Sequence, residues 1–153
     1  MEITRKTEPV SATDDLRNSL DEAAELYVFE GLPHPLFEED LFQSETTRDD
    51  TTLIGGFPFY TPEFLVDANS SAGLKKALTN PKNYAEFVAE KLCGGFHPDY
   101  AISWLDGSEK VSILLCFNCE EVLFVHANGS HRYDFGHLEK PLSQFKRKRP
   151  SGV

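Results

Sequence analysis

The stretch from Asp99 to Phe135 constrains the fold more than any other part of the chain. There "DYAISWL", "VSILLCF", "VLFVH" and "HRYDF" alternate with the polar pieces "DGSEK", "NCEE" and "ANGS". Short segments rich in β-branched and aromatic residues, bounded by turn formers, predict consecutive antiparallel strands. Tyr100, Ile102 and Trp104 recur at every second position, the period of a half-buried strand. Asp106-Gly107 and Asn128-Gly129 are dipeptides favoured in tight hairpin turns. The expected unit is therefore a four-stranded meander.

The front of the chain reads differently. Thr13 followed by Asp14 and Asp15 is a helix start, with acids in the first turn complementing the macrodipole. Leu16, Leu20, Ala23, Ala24 and Tyr27 recur at three- and four-residue steps, which predicts one buried helical stripe. Pro33 and Pro35 end that helix, and "LFEEDLFQSE" offers a second, weaker helical pattern. "TTLIGGFPFY" predicts a strand that Pro58 confines to a sheet edge or bulge, bent at Gly55 and Gly56. "SSAGLKKALTN" and "NYAEFVAEKL" read as two short helices separated by Pro81, and "HLEKPLSQFK" as a terminal one. The expected class is α+β: N-terminal helices packed on a four- to five-stranded antiparallel meander, with a C-terminal helix. The expected organisation is a flexible stretch 1–12, a single domain over 13–147 and a basic tail 148–153.

Composition narrows the function classes. A hydrophobic share of 40% with 12% aromatic residues is that of a folded chain. Residues 1–70 carry sixteen acids against four bases, and the remainder nine against eleven. An acidic front half repels phosphate, so nucleic acid is not an expected partner; such charge either docks a basic protein or, more commonly, serves solubility alone. No apolar run reaches the length of a membrane span. The opening "MEITRKTEPV" does not resemble a secretory signal, and three cysteines do not pair evenly. Both features make the cytoplasm the expected location.

Chemistry concentrates in "KLCGGFHPDY" (91–100) and "LLCFNC" (114–119). Cys116 and Cys119 form a C-x-x-C across a predicted turn. With Cys93 and His97 they make a C-x3-H…C-x2-C set of the type that holds a tetrahedral zinc ion. The set requires the loop before the first meander strand to lie beside the turn after the second, which antiparallel neighbours permit. Three readings stand: a structural zinc site, a reactive thiol, and thiols that only pack. Glu120 and Glu121 weigh against thioredoxin-like chemistry, because a carboxylate raises a neighbouring thiol's pKa. His34 and Glu30 extend the candidate list toward an acid–base site, although no G-x-S-x-G, H-E-x-x-H, P-loop or G-x-G-x-x-G motif is present. His126, His131 and His137 gather near the last hairpin.

The succession "EGLPHP" (30–35), "GFPFY" (56–60), "KLCGGFHPDY" and "LLCFNC" resembles a group of small uncharacterised bacterial proteins of similar length. In that group a Cys-rich decapeptide precedes strands bearing a Cys-Phe-x-Cys motif. The resemblance implies a single α+β domain and no particular activity. It marks Glu30, His34, Cys93, His97, Cys116 and Cys119 for joint inspection. The functional expectation is a small non-enzymatic binding domain, stabilised either by its fold alone or by zinc. The alternative is a thiol-dependent enzyme using Cys93 or Cys116 with His97 or His34 as base.

Overall fold

The structure, a computed structural model, describes residues 14–35, 37–87, 95–135 and 142–145. The fold is α+β, and most of it is sheet. Nine strands are present among the described residues: β1 (Tyr27–Glu30), β2 (Thr51–Ile54), β3 (Phe57–Tyr60), β4 (Phe64–Leu65), β5 (Tyr84–Glu86), β6 (Tyr100–Asp106), β7 (Glu109–Cys116), β8 (Glu121–His126) and β9 (Gly129–Phe135). The predicted meander is β6 to β9, each strand antiparallel to the next.

The sheet is larger than the sequence suggests. β1 joins the free side of β6 and β4 joins β1, while β5 joins β9, giving seven strands in the order β4-β1-β6-β7-β8-β9-β5. Tyr27–Glu30 was expected at the end of a helix. Helix α1 instead spans residues 14–22, and its buried apolar positions are Leu16, Leu20 and, just past its end, Ala23. Tyr27, Val28 and Phe29 favour extended backbone, and β1 gains a ladder on both sides. Likewise Tyr84–Glu86 is a strand where a helix was expected. The Tyr84 ring lies 4.7 Å from Phe135, 5.8 Å from Phe124 and 6.0 Å from Tyr133, centroid to centroid. That aromatic packing outweighs the helical spacing of the segment.

The two faces of the large sheet bury different partners. Ile102, Ile113 and Phe124 stand opposite one another across β6, β7 and β8. They face α1 and helix α3 (Ala68–Thr79), whose Leu74 and Leu78 join the same core. Asp67 caps α3 by accepting from the Ser70 N–H at 2.8 Å. Leu142 and Phe145 close this core; the rest of the expected C-terminal helix lies outside the described residues, as do the expected flexible start and basic tail. The opposite face carries Phe29, Ala101 and Leu114 against Ile54 and Phe59.

Ile54 and Phe59 belong to a hairpin, β2–β3, rather than to one bent strand. Gly55 and Gly56 both have positive φ, +60° and +86°, as a two-residue turn of the type I′ class demands. In such a hairpin Ile54 and Phe57 form the hydrogen-bonded pair next to the turn. Leu53 and Pro58 are then a non-bonded pair, so the missing proline N–H costs the ladder nothing. Helix α2 (Glu39–Glu45) buries no residue of its own, and its Glu45 accepts from the Tyr60 hydroxyl of β3 at 2.6 Å.

Candidate functional site

The candidate residues converge where β7 ends and β6 begins. Cys116 is the last residue of β7, opposite Glu121, and a four-residue turn carries Cys119. Glu120 completes the turn with φ +53°. The stretch 95–99 runs alongside: the Asp99 N–H donates to the Leu115 carbonyl at 2.7 Å. The Phe117 N–H donates to the Asp99 carboxylate at 2.8 Å. The loop before the first meander strand thus does lie beside the turn after the second.

The two described sulfurs differ in state. Cys116 is a free, buried thiol, whereas Cys119 is disulfide-bonded. A sulfur in a disulfide is not a thiolate and does not bind zinc in that state. Phe96 packs over Cys116 and Cys119, and the Gly95 carbonyl oxygen is 3.6 Å from the Cys119 sulfur. Burial pushes the Cys116 thiol above its usual pKa. The backbone N–H groups of His97 and Cys119 oppose that shift, and the charges of Asp99 and Glu121 reinforce it. Cys93 lies outside the described residues.

His97 contributes its backbone here, but its ring points elsewhere. Nε2 is 2.8 Å from the Leu32 carbonyl oxygen, which only accepts, so Nε2 carries the proton and donates. The ring stands edge-on to His34 at 5.2 Å and to Phe42 at 6.0 Å. His34 Nδ1 accepts from the Phe37 N–H at 3.3 Å. The loop that carries His34 is pressed against the stretch 97–99: a Cβ on Gly31 would lie 2.2 Å from the Pro98 carbonyl oxygen. Glu30, opposite Tyr100 in the β1–β6 ladder, is buried beside this loop. The five described candidates therefore divide. Cys116 and Cys119 meet at the turn, while Glu30, His34 and the His97 ring belong to the neighbouring loop. Among the described residues no group of three or more His, Cys, Asp or Glu side chains is arranged to hold a metal ion. Of the four expected zinc ligands, Cys116 and Cys119 meet at this turn, the His97 ring turns to Leu32, and Cys93 lies outside the described residues.

An ion pair beside this turn was not foreseen from the sequence. Glu121 has no exposed side-chain surface, and Arg132 reaches its Oε1 through Nε at 2.9 Å and a terminal nitrogen at 2.7 Å. The Arg132 guanidinium also covers the rings of Phe87 at 4.5 Å and Phe96 at 5.1 Å. In sequence Glu121 reads as a charge that repels thiolates. The pairing shows only in the register, which sets Glu121 two places from Leu123, the residue opposite Arg132. His126 and His131 stack at 5.3 Å with 18° between their planes; His137 lies outside the described residues.

No family model and no curated protein matches the chain. Its backbone is similar to the crystal structure of a "putative lipoprotein" from Clostridium perfringens, with 13% identity, 88% of this chain and 81% of that chain covered, and a TM-score of 0.41. The expected cytoplasmic location is withdrawn. It rested in part on an odd cysteine count taken to disfavour a disulfide, yet Cys119 is in one. No helix among the described residues is long and apolar enough to cross a membrane.

Proposed function

We propose that this chain is a non-enzymatic binding domain that captures an extended, basic segment of a partner protein on the β4–β1–β6 side of its sheet. The observation that carries the reading is a pair of leucines. Leu65 and Leu105 are each 60% exposed, and Leu105 lines a groove of about 160 Å³ together with Tyr27, Phe29, Glu63, Ser103 and Lys110. Leu65 stands opposite Tyr27, and Tyr27 opposite Ser103, so the leucine and the groove share one face. The groove floor makes few polar demands, because Ser103 and Ser112 satisfy each other at 2.7 Å. Its volume is below the roughly 300 Å³ at which small-molecule sites begin, and suits side chains of a strand better. β4 is the edge of the sheet, and an edge strand recognises extended backbone. The net charge of −10 favours a basic partner.

The thiol-enzyme alternative has less support. Cys116 is buried and its pKa is raised, the reverse of an activated nucleophile. Zinc stabilisation requires reduction of the Cys119 disulfide first. Elemental analysis of protein purified without chelator tests it, and less than about 0.2 equivalents removes it, since structural sites bind tightly. The binding proposal is tested with the immobilised chain at physiological salt, followed by Leu65→Ser/Leu105→Ser. The expected result is a retained protein partner whose affinity falls at least tenfold in the double variant at an unchanged melting temperature. Recovery of no partner, or equal retention by the variant, overturns it.

A further inference from the structure

We infer that the sheet groove recognises a lysine side chain of the extended segment it captures, and that the chain's own Lys110 competes for the same place. The inference rests on the binding reading above and names the chemistry of one partner residue. Lys110 stands in β7 opposite Leu105 of β6, yet its ammonium lies over the ring of Phe29 in β1, 4.8 Å from the centroid. β6 is between those two strands, so the lysine reaches across β6 over a groove that it lines together with Phe29 and Leu105. A cation over an aromatic face is held by the ring quadrupole, weakly where water reaches it. Lys110 is exposed, and fixing a long flexible side chain costs rotamer entropy. Its hold on Phe29 is therefore one that a second ammonium can replace.

The charges at the groove favour a cation from outside. Glu63 and Lys110 both line it, but no ion pair among the described residues includes either side chain. A second acid is close by, because the Tyr27 hydroxyl donates to Glu25 at 2.6 Å. That hydrogen bond, then burial and the charges of Glu25 and Glu63, hold the Tyr27 phenol above its usual pKa. Two carboxylates thus act on the β1 side of a groove that has one lysine of its own.

The register gives the partner's lysine a position. Leu65 stands opposite Tyr27 and Phe64 opposite Val28, so Glu63 is next in line with Phe29. A strand added at the β4 edge sets alternate side chains on one face. One then lies beside Leu65 and is apolar; the next lies beside Glu63 and is the lysine, paired with the carboxylate and directed at the Phe29 ring. A second copy of this chain is a poor occupant, since each copy carries a net charge of −10.

The test is a fluorescence anisotropy titration of the full chain with a labelled, end-capped peptide of alternating valine and lysine, and with the same peptide carrying acetyl-lysine. The expected result is binding of the lysine peptide about tenfold tighter than its acetylated form. Lys110→Met keeps an apolar stem and frees the ring face, and should tighten the lysine peptide roughly two- to fivefold. Lys76→Met makes the same change of charge on α3, on the other face of the sheet, and should leave the affinity where it was. Phe29→Leu should abolish the gain from Lys110→Met. Equal affinity for the two peptides, an equal gain in Lys76→Met, or no gain in Lys110→Met overturns the inference. If the lysine peptide is lost in Leu65→Ser/Leu105→Ser while Lys110→Met brings no gain, the lysine subsite fails and the groove reading survives.

Discussion

Removal of the Cys119 disulfide has a magnitude set mainly by chain entropy. A native disulfide stabilises by about 2–4 kcal/mol, chiefly through its constraint on the unfolded chain. For a chain of this size that corresponds to a fall in melting temperature of roughly 4–16 °C. Cys119 is fully buried, and alanine there avoids the unpaired hydroxyl that serine introduces. The assay is thermal or urea unfolding of the wild type and Cys119→Ala, with and without reductant. Reductant should lower the wild type toward the variant and leave the variant unmoved. A wild type indifferent to reductant, or a variant that reductant still lowers, would refute the reasoning.

Two further predictions rest on single residues. Gly31→Ala drives a Cβ to 2.2 Å from the Pro98 carbonyl oxygen and should cost about 1–3 kcal/mol as over-packing. Gly73→Ala, in α3 with no atom within 4 Å of the new Cβ, should stabilise by about 0.5–1 kcal/mol; urea midpoints separate the two signs. Burial, and then the charge of His126, hold the His131 pKa below its ordinary 6.5. Between that lowered value and 6.5 the unfolded chain binds more protons than the folded one, so stability falls as pH drops through the window. His131→Gln should flatten the melting temperature across that range, and an unchanged slope rules the histidine out.

The meander was legible because each of its strands satisfies local rules without help. Ile102, Ile113 and Phe124 alternate with the opposite face, and "DG" reads as a turn. At the last hairpin the two turn residues are Ala127 and Asn128, with Gly129, φ +136°, opening β9. The Asn-Gly signal thus found the hairpin and missed its centre by one place. β1 and β5 were illegible for the converse reason. Each is short, and each exists because a neighbouring strand offers an open ladder, information that no local window contains. Of the candidate site, strand adjacency disclosed that residues 95–99 lie beside the C-x-x-C turn. Whether sulfur goes to metal, to a neighbour or to nothing depends on which atoms meet within a few ångström, and spacing does not specify that.

The arrangement also explains why the disulfide acts on the unfolded chain rather than as the clamp of the folded one. Residues 95–99 have fasteners of their own. Asp99 gives its carbonyl to the Gly31 N–H at 2.7 Å and its carboxylate to Phe117. The His97 ring is tied to Leu32, and Phe96 lies under Arg132, whose charge is balanced by buried Glu121. None of these contacts uses sulfur, so reduction leaves them in place, and the native geometry of β6 and β7 survives it. The missing stabilisation is then almost wholly loop-closure entropy. It follows that the oxidised and reduced chains share the same Leu65–Leu105 groove, about which the disulfide is silent. Loss of partner binding on reduction at a temperature where both forms are folded would contradict this separation of staple from surface.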